Sequence, residues 1–368
     1  MDELGYWVAL SRVAGIGYGR LRLLKARFGS LERAWGATVE ELLASGLDDR
    51  VSTHLCQARE SLSPASELAR LEQFGVAAFT VDDPRYPALL REAPDCPPVL
   101  YVRGTLPAPD RLLLAVVGTR RPTAYGRQAT TELVDGLTSS CVVTVSGLAR
   151  GIDTMVHRET LEREGTTIAV LAAGLDAVYP AENLALARRI LASGALVSEH
   201  PPGVKLRKEN FLRRNRIMSG MSRGTVVVEA GEHSGALATA RNALDQNREV
   251  FALPGSIFSP ESMGTNRLIQ RGEAKLVLSA EDVLAEFGLD APATRSTTRA
   301  PLQADALQVR LLAEMGAFPM HSDDLARRLR VSSQEVSAAL TLLELQGVVQ
   351  DLGGMQYVVS SRWLSEVS

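Results

Sequence analysis

Residues 112–123 read LLLAVVGTRRPT, and residues 142–153 read VVTVSGLARGID. In both stretches a short apolar run passes directly into a turn that contains glycine and arginine. An apolar run without polar alternation is typical of a strand that is buried on both faces. The two stretches therefore predict neighbouring strands of a parallel sheet, each followed by a helix.

The same alternation continues along the chain between residues 111 and 288. Further apolar runs lie at 167–172, 195–197, 225–228 and 250–253, and helical segments lie at 128–137, 153–163, 185–191 and 236–246. Strands separated by helices indicate a parallel sheet that helices cover on both faces. We predict an α/β fold with an extended, Rossmann-like, doubly wound sheet over 111–288, whose ligand site lies outside the carboxyl ends of the strands.

Two segments precede this domain. Residues 1–65 read as short helices, and the Gly15-Ile16-Gly17 turn predicts a helix-hairpin-helix, SAM-like domain. The N–H groups of such a turn can hold a DNA phosphate, although a glycine-rich turn in an ordinary helical bundle fits equally well. Residues 66–110 are proline-rich and predict a connecting segment, because proline breaks helices and disfavours central strands.

Two further segments follow the sheet. Residues 289–302 lack apolar periodicity and predict a linker. Residues 303–361 predict three helices and a hairpin, which together form a winged helix. Four arginines stand against seven acidic residues in this segment, and the predicted recognition helix Ser333–Gln346 contains no lysine or arginine. Duplex readers need positive charge, so we expect this domain mainly to contact protein, or to contact DNA only weakly through Arg327, Arg328 and Arg330.

Charge is concentrated in one place. The chain of 368 residues has a formal net charge of −3, yet residues 205–223 contain seven basic residues and one acid, Glu209. Such like charges repel one another unless a polyanion is present. Phe211 lies within this run, either as a core residue or as an aromatic on which a base of a single strand could stack.

Glycine-rich turns at the predicted strand ends indicate an anion site, because backbone N–H groups and helix N-termini meet there. Neither GxxxxGK[ST] nor a GxGxxG after a strand is present, so a P-loop nucleotide hydrolase and a typical NAD site are not expected. We expect no cofactor.

The residues that could support catalysis do not form a constellation. Asp153 and His157 are four residues apart at a helix start, Glu199, His200 and Glu229 have no metal-ligand spacing, and Ser146 has no GxSxG context. The three cysteines are isolated, which fits a reducing compartment and no zinc site. With neither a signal peptide nor a membrane span evident, we expect a cytoplasmic protein that is not an enzyme and has no metal.

The sequence strongly resembles the DprA (Smf) family of DNA-processing proteins. The matching stretches are VGTRRPTAYG, SGLARGIDTMVH, AVLAAGLDAVYPAEN, VSEHPPG, FLRRNRIMSGMS, VVVEAGEHSGALATARNAL and FALPGSI with GTNRLIQRGEA. The resemblance implies binding of single-stranded DNA during natural transformation, protection of that DNA and loading of a RecA-type recombinase. It also implies a homodimer, and a single-strand-binding protein is a further candidate partner.

The resemblance and the charge pattern together define candidate residues. The candidates for DNA binding are Gly118, Thr119, Arg120, Arg121, Ser146, Gly147, Arg150, Asn183, Lys205, Lys208, Phe211, Arg213, Arg214, Asn215 and Arg216. Many family members carry lysine where this chain has Ala181, which weakens one phosphate contact that the resemblance implies, and the neighbouring arginines are candidates to replace it. Leu268 and Ile269 are the candidates for the dimer interface, unless both are buried in their own domain.

A nucleotide-hydrolysing enzyme is the alternative hypothesis. The sheet is distantly similar to phosphoribohydrolases, which carry a PGGxGTxxE loop after a strand. The corresponding loop here, 229–239, has Ala238 and Thr239 after its last glycine, where the acids would be expected. Without a carboxylate there, that hydrolysis lacks its acid/base group.

Overall fold

The computed structural model describes residues 3–289, 305–315, 319–359 and 363. The predicted linker 289–302 lies outside these residues except for Leu289. The chain divides into two compact units, of which the first is Met1–Arg121 with Leu137–Leu278 and the second is Pro122–Gly136 with Ser279–Ser368.

The first unit carries most of the helices and a nine-stranded sheet. Its helices are α1 (Glu3–Ser11), α2 (Tyr18–Phe28), α3 (Leu31–Gly36), α4 (Val39–Ala44), α5 (Asp49–Ser61), α6 (Pro64–Phe74), α7 (Ala88–Glu92), α9 (Ile152–Glu162), α10 (Leu184–Ser193), α11 (Lys208–Gly220), α12 (Ala236–Asp245) and α13 (Met263–Gln270). Its strands are β1 (Ala77–Thr80), β2 (Val99–Gly104), β3 (Leu113–Val117), β4 (Val143–Ser146), β5 (Thr167–Val170), β6 (Ala195–Ser198), β7 (Gly224–Val227), β8 (Glu249–Ala252) and β9 (Lys275–Leu276).

The strand order of this sheet is β1-β2-β6-β5-β4-β3-β7-β8-β9. The strands from β6 across to β9 run parallel, whereas β2 is antiparallel to β6 and to β1. The chain proceeds outward from β3 to β6 and then returns to place β7 on the other side of β3. This reversal is the topological switch point, where open α/β sheets bind their ligands. The prediction of a doubly wound, Rossmann-like sheet is confirmed.

The structure corrects the predicted connecting segment 66–110. This segment forms α6 and α7, and its strands β1 and β2 extend the sheet beyond β6. The antiparallel edge tolerates the prolines, because they lie in the turns and around α7, outside the hydrogen-bonded strands.

The N-terminal helices share their core with the sheet. Trp7 and Leu10 of α1 belong to the same buried cluster as Tyr101 of β2 and Leu196 of β6. The predicted boundary at residue 65 therefore does not separate two cores. A glycine turn does join α1 to α2, and Gly15 has a left-handed φ of +90°.

The second unit contains the winged helix. Its elements are α8 (Ala124–Ser139, which ends in the first unit), α14 (Ala280–Glu286), α15 (Ala306–Met315), β10 (Met320–His321), α16 (Ser322–Leu329), α17 (Ser333–Leu345), β11 (Val349–Asp351) and β12 (Gln356–Val359). The helices α15–α17 and the sheet β10-β12-β11 enclose their own apolar core. The predicted winged helix is confirmed.

The boundaries predicted for the sheet domain, 111–288, also differ from the structure. Residues 122–136 and the segment after Leu278 group with the second unit. The reason is close packing of α8 on α14, since a Cβ on Gly136 would lie 2.5 Å from the Cβ of Ala280. Among the described residues, no helix is both long and apolar enough to cross a membrane.

Candidate nucleic-acid interface

A cavity of about 970 Å³ opens at the carboxyl ends of β3, β4 and β7, at the switch point of the sheet. The residues that line it include Gly118, Thr119, Arg120, Arg121, Ala149, Asp153, Phe211, Arg214, Asn215, Glu232, His233, Gly235 and Glu261. Both Arg120 and Arg121 are exposed. Its volume lies at the upper end of the range typical of ligand sites, and exposed arginine side chains lie at its mouth.

Phe211 lies at this mouth and not in the core. It is half-buried, and the Cζ atom of Arg120 lies 5.4 Å from the centroid of its ring. Tyr179 meets the same ring in a T-shaped contact, with 5.7 Å between ring centroids. Tyr179 is not among the site residues predicted from the sequence, although it lies in the loop after β5, at the edge of the sheet where ligand-binding residues of this fold occur.

The glycines at the strand ends allow two turns to approach each other. A Cβ on Gly151, which has a φ of +79°, would lie 2.4 Å from the carbonyl oxygen of Thr119. The N–H of Ile152 donates to that carbonyl over 3.1 Å, and the N–H of Thr119 donates to the carbonyl of Glu229 over 2.7 Å. These N–H groups are therefore engaged within the protein, and the exposed charge at the turn comes from the arginine side chains.

Arg214 corrects the expectation that the whole 213–216 stretch faces DNA. Its side chain is 5% exposed and donates to the carbonyl oxygens of Gly147, over 2.6 Å, and of Val170. Burial lowers its pKa to about 10, and it lies near the buried Asp153, whose pKa is raised by burial. Arg214 therefore supports the floor of the cavity from below.

The other three residues of the 213–216 stretch differ from one another in how far they are exposed. The Nη2 atom of Arg216 lies 2.5 Å from Oε2 of the buried Glu199, so this arginine is also held inside. Asn215 is buried and donates to the carbonyl of Gly235 over 3.2 Å. Arg213 alone of the four points outward, with 61% of its side chain exposed and only a 3.5 Å contact with Glu199.

Two further candidates are internal. Ser146 is fully buried and donates to the carbonyl of Val116 over 2.7 Å. The amide of Asn183 donates to the carbonyl of Leu148 and to Oγ1 of Thr154. Both side chains hold the loops around the cavity in place, which corrects the prediction that they contact the ligand directly.

Gly147 and the basic candidates Arg150, Lys205 and Lys208 differ in their burial and in their ion pairs. Gly147 is buried against Arg214. Arg150 is exposed but forms a bidentate ion pair with Glu182. Lys205 and Lys208 are exposed, and neither makes an ion pair within the part of the chain that the structure describes. Those two lysines are therefore available to an anion, as is the exposed Arg207 between them.

The side chains of the two candidate dimer residues pack mainly against the core of their own domain. Leu268 is 5% exposed and belongs to the core of the sheet, and Ile269 is half-buried against the same core. Leu268 is already covered by its own chain, which favours the alternative that it is buried in its own domain, and the dimer interface itself stays a prediction.

His157, one of the candidate catalytic residues, makes its contacts inside the protein. His157 is fully buried, its Nδ1 lies 2.7 Å from Oγ1 of Thr167, and burial lowers its pKa to about 3. Among the residues that the structure describes, no group of three His, Cys, Asp or Glu side chains is arranged to hold a metal ion.

A Rossmann-like sheet with a cavity at its switch point and exposed arginines at the mouth of that cavity, together with a winged helix, defines an α/β protein with a candidate anion site. The chain belongs to the DNA recombination-mediator protein A family, whose sequence profile matches residues 77–288. The profile of the DprA winged helix domain matches residues 291–355.

Relatives extend over nearly the whole chain. Protein Smf of Synechocystis is 35% identical over 97% of this chain and 98% of its own length. The crystal structure of DNA processing protein A from Streptococcus pneumoniae has a TM-score of 0.67 at 33% identity, covering 78% of this chain and 99% of that one. A structure of DNA processing protein A from Helicobacter pylori, described for its single-stranded DNA binding mode, has a TM-score of 0.51 at 29% identity over 58% of this chain and 95% of that one.

Proposed function

We propose that this protein binds single-stranded DNA through its phosphate backbone, without sequence preference. In this proposal it protects incoming DNA and helps to load a RecA-type recombinase during natural transformation. The observation that carries the proposal is the set of exposed basic side chains along the carboxyl edge of the sheet. The predicted DNA-binding residues among them that make no close ion pair are Arg120, Arg121, Lys205, Lys208 and Arg213.

The electrostatics support backbone contacts. The net charge of the whole protein is −3, so attraction to DNA has to come from this local set. Arginine and lysine side chains that contact phosphates position a strand but carry no sequence information. The single-stranded DNA binding named for the Helicobacter pylori relative points in the same direction.

A titration across salt concentration tests the proposal. Each phosphate neutralised on a single strand contributes about −0.7 to the slope of log affinity against log salt. If the five exposed basic residues all engage, we expect a slope of about −3.5 with oligo(dT). A flat dependence on salt would contradict backbone binding.

A pair of arginine variants makes the test specific. Arg120→Ala should weaken binding to all sequences equally and reduce the salt slope by about 0.7. Arg111 is a matched control, because it is exposed before the amino end of β3, at the opposite edge of the same sheet. Equal losses in Arg120→Ala and Arg111→Ala would mean that bulk charge, and not this site, holds the DNA.

Catalysis is not part of the proposal. The 229–239 loop borders the cavity through Gly235 and Thr239, and no carboxylate stands at Ala238 or Thr239. Hydrolysis by the phosphoribohydrolase arrangement would need an acid/base carboxylate at this position, and the carboxylates that line the cavity, Asp153, Glu232 and Glu261, lie elsewhere. Incubation with nucleoside monophosphates should therefore release no free base. Release that depends on Arg120 would instead support the phosphoribohydrolase hypothesis.

The partners in this proposal are a second copy of the chain and a recombinase in the cytoplasm. Sedimentation equilibrium tests the homodimer. Loading is tested by following recombinase filament growth on single-stranded DNA coated with a single-strand-binding protein. We expect the wild-type chain to accelerate growth and Arg120→Ala to do so less, because loading requires the DNA to be held first.

A further inference from the structure

Tyr179 is an exposed aromatic residue that contacts Phe211, a residue that lines the cavity. The residue is 52% exposed, and it lies in the loop that follows the buried strand β5. On one side it meets Phe211 in the T-shaped contact described above. An aromatic ring in this position retains a large solvent-facing surface while its orientation is set by a neighbour.

Phe211 is less suited to receive a base than Tyr179. The Arg120 guanidinium lies over the Phe211 ring at 5.4 Å, and the Tyr179 ring occupies a second side. Phe211 also lines both the main cavity and a small adjoining pocket that Tyr179 and Leu206 complete. Phe211 thus packs between the guanidinium of Arg120 and the ring of Tyr179, and it holds the exposed tyrosine in place.

Two basic residues lie in the neighbourhood of Tyr179 and Phe211. Arg120 is held on the other side of Phe211, and the phenol of Tyr179 acts electrostatically on Arg150. The pKa of Arg150 is raised first by its hydrogen bond to Glu182 and to a smaller degree by Tyr179. An aromatic face between cationic side chains is the arrangement that binds a single strand, because bases stack while neighbouring phosphates meet the charges.

We propose that Tyr179 is the stacking platform for one nucleobase of the bound strand, with Phe211 as its support. This inference rests on the proposed binding of single-stranded DNA and adds a base contact to the phosphate contacts. Every base has a π face, so the subsite accepts any nucleobase and preserves the lack of sequence preference.

The test compares two oligonucleotides that differ only in their bases. One is oligo(dT), and the other has the same length and phosphates but carries abasic tetrahydrofuran units. Loss of one stacked base costs on the order of tenfold in affinity, within the range measured for aromatic-to-alanine changes. Tyr179→Ala should therefore bind oligo(dT) about tenfold more weakly and bind the abasic strand as the wild type does. Tyr179→Phe keeps the ring and should bind both strands as the wild type does.

The outcomes distinguish a failure of the stacking subsite from a failure of the proposed DNA binding. An unchanged affinity of Tyr179→Ala for oligo(dT) would overturn the stacking subsite, as would an equal loss on both strands, which indicates an effect on phosphate binding or folding. An unchanged salt slope in Tyr179→Ala supports it, because no phosphate contact is removed. If the wild-type chain binds neither strand, it is the proposed function that fails, and the subsite fails with it.

Discussion

The buried guanidinium of Arg214 donates a hydrogen bond of 2.6 Å to the carbonyl oxygen of Gly147. This contact ties α11 to the end of β4 directly below the cavity. It leaves no room for a side chain at residue 147, since a Cβ there would lie 2.1 Å from Nη1 of Arg214. The contact that forms the floor of the site therefore also packs α11 against the end of β4.

Replacing Gly147 by alanine should destabilise the protein. Arginine side chains often move aside, but Arg214 is buried and would have to give up its bonds to the Gly147 and Val170 carbonyls. Overpacking of this kind costs about 1–3 kcal/mol in the free energy of unfolding, which urea denaturation measures. Gly19→Ala is the control, because Gly19 lies in α2 with nothing within 4 Å of its Cβ position, and we expect it to be neutral or stabilising. Equal stability of the two variants would contradict the tight packing.

Arg213 and Arg216 should respond to alanine substitution in opposite ways. Arg216→Ala leaves the carboxylate of the buried Glu199 without its 2.5 Å partner and should cost about 3 kcal/mol of unfolding free energy. Arg213→Ala removes an exposed side chain, so stability should change by less than about 0.5 kcal/mol while affinity for oligo(dT) falls. Urea denaturation and a binding titration on both variants check this. The division of roles is wrong if Arg213→Ala is the less stable of the two.

His157 should make stability depend on pH on the acid side. Burial lowers its pKa in the folded protein to about 3, whereas the unfolded chain titrates near 6.5. Between these values the unfolded state binds more protons, so the free energy of unfolding falls as pH falls, by up to about 1.4 kcal/mol per pH unit. His157→Gln should lose this contribution.

Urea denaturation of the wild type and of His157→Gln measures how the free energy of unfolding changes with pH in each. The pH range from 6.5 to about 4.5 lies between the unfolded and folded pKa values of His157. The buried Asp153 is present in both chains, so its own titration cancels in the comparison. Parallel curves for the two chains would mean that the imidazole is protonated in the folded state.

The isolated 300–368 fragment should not bind duplex DNA tightly. Residues 303–361 carry four arginines and seven acidic residues, and α17 has no basic side chain. Phosphate contacts need positive charge, so we expect no gel shift of a duplex at about 10 µM fragment. A shift at nanomolar concentration would show that the wing or the arginines of α16 suffice for binding.

Much of the architecture could be predicted from short patterns. The strands β3, β4, β5 and β7 coincide with predominantly apolar runs without polar alternation, because both of their faces are buried. The edge strands β1 and β2 were not predicted as part of the sheet. Their neighbourhood is rich in proline, and only their pairing with β6 shows that they extend it.

The sequence by itself determined the parallel sheet, the winged helix, and the concentration of basic and glycine residues at the strand ends, because these follow from local apolar patterning and composition. Only the tertiary structure decided which basic residues face solvent. Successive residues of α11 project about 100° apart, so Arg213 points outward while Arg214 and Arg216 meet Gly147 and Glu199. Those partners come from distant parts of the chain, and no local pattern specifies them. The same holds for Tyr179, whose position beside Phe211 arises only when β5 and α11 meet.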